Sequence, residues 1–157
     1  MEWERLIRFG LLGDANLESW AILLVRVALG VFFAISGGNK LFVASRTKAM
    51  YETLAAARIP FPRPMTYCVS AIEFFGGCLL VVGLLSSVAC FALLVNMLVA
   101  IVTTKLSGDK KALSALNWVD DFLYFPEVLY VLFFVWLICS GPGKFSLDRL
   151  LATRFFS

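Results

Sequence analysis

Four apolar runs, at about 20–38, 64–84, 88–104 and 122–140, alternate with charged connections along the chain, and each approaches the roughly 20 residues a helix needs to cross a hydrocarbon core. The first run contains one charge, Arg26, and loosens at Gly37 and Gly38 before Asn39 and Lys40. The second contains Glu73, with Gly76 and Gly77 one turn on, the third contains the amide Asn96, and the fourth carries Glu127 close to its start. Only Leu85, Ser86 and Ser87 separate the second run from the third, so these two form an antiparallel helical hairpin. Gly141-Pro142-Gly143 ends the fourth.

The connections carry helical periodicity of their own. Trp3, Leu6, Ile7 and Leu11 recur at helical spacing with charges between them, which predicts a short helix in the membrane interface; Asp14 or Asn16 caps the first span. Met50, Leu54 and Ala57 give a second amphipathic helix ending near Ile59. Pro60, Pro62 and Pro64 then impose an extended segment. Ser146 caps a last helix over residues 147–155, whose Leu150, Leu151 and Phe155 lie on the membrane surface. Trp118, Tyr124 and Tyr130 stand where interface aromatics belong. The expected architecture is all-α: one polytopic membrane domain over residues 1–157, a bundle of four transmembrane helices with short interfacial helices.

Even the number of spans has a consequence. Both ends of the chain fall on one side, the terminal side, and the two long connections on the other, the loop side. Lys40, Arg46, Lys48, Arg58, Arg63, Lys105, Lys110 and Lys111 outnumber Arg5, Arg8, Lys144, Arg149 and Arg154, so the positive-inside rule leans toward a cytoplasmic loop side. The acidic start, Met1-Glu2-Trp3-Glu4, does not read as a secretory signal.

Composition strengthens the membrane reading. Hydrophobic residues make up 61% of the 157 and charged residues 16%, against roughly 45–50% and 25% in soluble domains. A soluble fold of this size leaves too much surface wet to hide that many apolar side chains. The net charge of +3 forms no basic stripe, which excludes nucleic acid as a partner and leaves membrane lipid as the expected surroundings. Histidine is absent, which removes the commonest general base and the usual zinc and haem ligand; no metal site and no intrinsic cofactor are expected. Cys68, Cys78, Cys90 and Cys139 show no Cys-x-x-Cys spacing and read as small buried hydrophobes.

Charges inside the bilayer are the informative chemistry, because each costs at least about 2.5–3.5 kcal/mol there unless it faces the bundle and finds a partner. At about 1.5 Å per residue, Arg26 lies roughly 9 Å in from the terminal side, Glu73 roughly 13 Å and Glu127 roughly 8 Å in from the loop side. Those depths predict two clusters, a central Arg26–Glu73–Asn96 and a loop-side Lys40–Asn39–Glu127. Together they form a candidate ligand-binding centre, opening toward the loop side between the second, third and fourth spans. Gly76 and Gly77 would leave room beside Glu73 for either a ligand or a close helix neighbour, with Pro60-Phe61-Pro62 and Trp118 lining the mouth. The same charges would equally serve to fix helix register, and a pocket of this kind suits a quinone or thiol-bearing amphiphile. No catalytic residue emerges from the pattern.

With these residues in hand, the chain resembles the DoxX family of small four-span membrane proteins. The resemblance rests on Arg26-Val27-Ala28-Leu29-Gly30 leading to Ser36-Gly37-Gly38-Asn39-Lys40-Leu41, on Glu73-Phe74-Phe75-Gly76-Gly77 with Leu84, and on Gly141-Pro142-Gly143-Lys144-Phe145-Ser146-Leu147-Asp148. It extends from about Leu23 to Leu150. The family takes its name from a membrane component of a quinone-linked thiosulfate-oxidising enzyme. The resemblance therefore implies an inner-membrane protein tied to sulfur or quinone redox, an accessory subunit or docking partner of an oxidoreductase more than an enzyme by itself. Quinone is the cofactor it implies, and a homo-oligomer is compatible with it. The alternative function is a non-catalytic scaffold or lipid-binding protein.

Overall fold

The computed structural model describes Trp3, residues 15–107 and residues 123–155. Within them the order is α1 (Ala15–Phe42), α2 (Ala44–Ala56), α3 (Pro62–Val82), α4 (Ser86–Ser107), α5 (Pro126–Ser140) and α6 (Leu147–Phe155), with no strand among the described residues. Apart from Trp3, the expected first interfacial helix lies outside the described residues, as do the cap candidate Asp14, the aromatic Trp118 and most of the connection before α5. Asn16, the other cap candidate, already belongs to the first turn of α1.

Three helices are long and apolar enough to cross a membrane, over Leu17–Phe42, Pro62–Val82 and Ser86–Thr103. The fourth, α5, is apolar but has only 15 residues. That is about 22 Å of helix, less than the roughly 30 Å of a hydrocarbon core. Its start lies at Pro126 and not near residue 122 because proline, lacking an N–H, suits the first helical position. Outward-facing Leu24, Phe75, Phe91, Val95, Leu132 and Val135 are exposed in the isolated chain, as lipid-facing side chains must be.

Helices in lipid associate through close packing, since hydrocarbon outside is as apolar as the interior. The tightest interface is α1 on α3. A Cβ added at Gly77 would strike Ala34 N and sit 2.6 Å from Gly30 O; one added at Gly37 would strike Phe74 N and sit 2.7 Å from Ser70 O. The two backbones thus touch where no side chain intervenes. Gly76 faces Leu93 of α4. These glycines serve dry helix packing: of the two expectations for the space beside Glu73, a ligand or a close helix neighbour, the second is the one that holds. The common core is Phe33, Leu80, Leu93, Phe134 and Cys90, all fully buried or nearly so.

Some local expectations change. Pro62 and Pro64 belong to the first turn of α3, and only Pro60 lies in the bend before it. The hairpin turn is Gly83–Leu85, two residues earlier than expected, since Gly83 adopts the left-handed cap (φ +75°) that closes α3, and Ser86 already begins α4. Of the four cysteines only Cys90 is buried; Cys68 and Cys139 face outward, Cys78 is half-buried, and all four are free. Ser146 does cap α6, its Oγ accepting from Arg149 N at 3.2 Å.

Candidate ligand site

Two polar centres organise the bundle, and they pair differently from the sequence expectation. On the terminal side Arg26, 2% exposed, does not meet Glu73. Its Nη1 donates to Pro142 O at 2.7 Å and its Nη2 to Phe145 O at 2.6 Å. The segment after α5 ends at Ser140 lies against the bundle, and backbone carbonyls in a low-dielectric region need donors. The short Gly83 lies against the guanidinium, where any Cβ would collide with it. The same segment is latched a second time. Asp148 accepts from Leu85 N at 2.6 Å and Ser86 N at 2.8 Å, capping the start of α4 from another helix, while Asp148 N donates to Gly83 O at 2.9 Å. Partial burial pushes the Asp148 carboxyl up, but the hydrogen bonds from Ser86 and Leu85 and the Arg26 charge outweigh it, leaving it below its ordinary range. Arg26 is therefore a fastener of the tail and leaves the candidate ligand centre.

The partner of Glu73 is Lys40. Helical side chains lean toward the N-terminus of their own helix, so Lys40, near the loop-side end of α1, points inward along the bundle. Its Nζ donates to Glu73 Oε2 at 2.6 Å and Oε1 at 2.8 Å. Ser36, one turn before Lys40 on the same face, donates to Oε2 at 3.3 Å, and Asn96 Nδ2 donates to Oε1 at 3.4 Å. The expected contact between Asn96 and Glu73 thus forms, while Lys40 leaves the cluster assigned to it with Asn39 and Glu127. Asn39 is exposed and takes no part.

Beside the Lys40–Glu73 pair lies a cavity of about 330 Å³. Phe32, Phe33, Ser36 and Lys40 of α1 form one wall. Asn96, Met97 and Thr103 of α4 form another, and Pro126, Glu127 and Tyr130 of α5 a third. Over the loop side lie Met50, Thr53 and Leu54 of α2, with Ile59. That helix is tied down where α1 breaks at Val43, Thr47 Oγ1 donating to Lys40 O at 2.6 Å. The apolar face expected of α2 thus covers the cavity in addition to any contact with lipid. Pro60, Phe61 and Pro62 do not line the mouth, and Phe61 is 78% exposed.

Four of the six candidate residues, Lys40, Glu73, Asn96 and Glu127, therefore border one cavity. Glu127 Oε2 is buried with no hydrogen-bond partner among the described residues. With the Glu73 charge already met by Lys40, the cavity offers an ammonium on its α1 wall and an amide on its α4 wall as donors, and a bare carboxylate oxygen on its α5 wall as acceptor, beside aromatic faces. Ser36, Tyr130 and the α2 residues were not among the sequence candidates. Ser36 stands four residues from Lys40 and Tyr130 three from Glu127, spacings that put each on the face of a candidate already chosen.

The DoxX family profile matches residues 21–106 of the chain. An uncharacterized membrane protein of Mycobacterium tuberculosis is 27% identical over 140 residues, covering 85% of this chain and 83% of that protein. No solved structure matches.

Proposed function

The chain belongs to the DoxX family of membrane proteins, and from that membership and the cavity we propose that it is a redox-associated inner-membrane subunit that binds the head of a quinone-class amphiphile for a partner oxidoreductase. The observation that carries this reading is the cavity of about 330 Å³ bordered both by the Lys40–Glu73 pair and by the unpartnered Glu127 oxygen. Its size falls at the lower end of small-molecule pockets. A quinone presents two ring oxygens at opposite ends. One accepts from Lys40 or Asn96; the other, as a hydroxyl in the reduced form, donates to Glu127. Phe32, Phe33 and Tyr130 flank the ring. The chain contributes binding and orientation, and the partner carries the electrons.

Titration of the purified protein with a short-chain quinol tests this. Saturable binding is expected, and Glu127→Gln weakens it by about tenfold or more, the worth of a hydrogen bond to a charged group. Absence of saturable binding to the folded wild-type protein refutes the reading. A second reading, a non-catalytic scaffold or lipid-binding protein, is favoured by one observation: Lys40–Glu73 and the Gly30–Gly77 contact already explain how α1 and α3 hold their register.

A further inference from the structure

Where a ligand comes from depends on which wall of the cavity is thin. The loop-side aqueous face is covered by α2, whose Leu54 is buried beneath it. Inside the bundle, α1 grips α3 along most of its length, and α5 packs broadly on α4. The remaining seam, α1 against α5, is sparse beside these among the described residues and meets largely through aromatic rings: Phe32 on Tyr130 at 5.1 Å, Phe33 on Tyr130 at 5.3 Å and Phe33 on Phe134 at 5.3 Å. Phe32 lines the cavity and is also 47% exposed on the lipid face, so one ring separates the two. Thr53 of α2 and Pro126 of α5 are exposed lining residues at the loop-side rim, and Val99 on α4 is a further thin place, as exposed as Phe32. There, however, α3 and α4 are held together by their short turn and by the seat of Gly76 on Leu93.

We propose that the cavity is served from the bilayer: a membrane-dissolved amphiphile passes sideways through the α1–α5 seam, seats a ring-sized head between Lys40 and Glu127, and leaves its tail in lipid. This rests on the ligand-binding reading above and names the ligand as one with a long apolar tail, as opposed to a water-soluble quinone or thiol. A volume near 330 Å³ accommodates a ring and has no room for a long chain. A tail directed toward the loop side would leave apolar surface in water, whereas a tail directed through the seam stays in hydrocarbon. The seam is closed by rings and not by backbone hydrogen bonds, and side-chain rotations suffice to part rings.

The test uses full-length protein in nanodiscs and three benzoquinols, one without a tail, one with a decyl tail and one with a longer isoprenoid tail. Expressed as concentration in the membrane, the affinities of the two tailed compounds should agree within about twofold, because the tail occupies the same medium before and after binding. Tail-dependent loss approaching about fourfold for each methylene forced into water overturns the proposal. Association rates locate the route. Phe32→Ala, folded by its melting temperature, should speed association several-fold, and Met50→Ala should not. Acceleration by Met50→Ala alone shows admission from the loop side, and acceleration by Val99→Ala alone shows a different seam; either overturns it. If no benzoquinol binds, the ligand-binding reading itself fails, an outcome distinct from binding by a different route.

Discussion

The pairing of Lys40 with Glu73 makes an asymmetric prediction about which charge is harder to lose. Glu73 is 3% exposed, and of its four hydrogen-bond contacts the two short ones, 2.6 and 2.8 Å, come from Lys40. Lys40→Met leaves the carboxylate with Ser36 at 3.3 Å and Asn96 at 3.4 Å, both long. Stranding a buried charge costs about 3–5 kcal/mol. The Lys40 side chain is 26% exposed, so some water reaches the site and the lower end, about 3 kcal/mol, is expected. Glu73→Leu strands an ammonium instead, but a lysine near a helix end can straighten toward the interface, which limits the loss to about 1–2 kcal/mol. The double change should fall within about 1 kcal/mol of wild type, since two apolar side chains replace a desolvated pair. The assay is unfolding in mixed micelles by SDS titration, monitored by circular dichroism, on the complete double-mutant cycle. A coupling of about 3–5 kcal/mol is expected between Lys40 and Glu73, and one within about 0.5 kcal/mol of zero between Arg26 and Glu73. Equal losses from the two single changes, or strong coupling to Arg26, would show that this assignment of partners is wrong.

The packing makes three further outcomes testable. Gly77→Ala drives a methyl into the α1 backbone at Ala34 and Gly30 and should destabilise by at least about 1–3 kcal/mol in the same titration, while Gly38→Ala, facing only the edge of the Phe74 ring, should be much milder. Arg26→Met removes the donors to Pro142 O and Phe145 O and should cost about 1–3 kcal/mol for each carbonyl left bare, with proteolysis near residues 141–146 accelerated; unchanged proteolysis would contradict the fastening role. Asp148 has a depressed folded-state pKa, so its contribution, about 0.5–2 kcal/mol for a cap, is complete above its ordinary value of 3.8 and is lost as pH falls through the lower folded value. Asp148→Asn should remove that acid-dependent loss of melting temperature, and a variant that melts with the wild-type pH dependence would place the titration elsewhere.

The spans, the helical hairpin, the cap at Ser146 and the interior placement of Glu73 and Asn96 were legible in the sequence because each rests on local chemistry. Apolar run length is set by bilayer thickness, Gly-Pro-Gly cannot continue a helix, and a charge in hydrocarbon must face protein. Which charge meets which depended on quantities a single sequence does not contain. Depth along the axis made Arg26 and Glu73 look like the closest opposite charges. Yet the segment after α5 brings its backbone against Arg26, which is consumed by two carbonyls from residues 116 and 119 positions away. That frees Glu73 for Lys40, whose reach comes from the inward lean of a side chain at the loop-side end of α1. The glycines marked a close approach in the sequence, but only the mutual rotation of α1 and α3 decided that another backbone fills the space. The cavity, too, is a product of tertiary arrangement. Helix periodicity places Ser36 with Lys40 and Tyr130 with Glu127, but the void between those faces exists because α1 and α5 pack sparsely and α2 folds across their loop-side end.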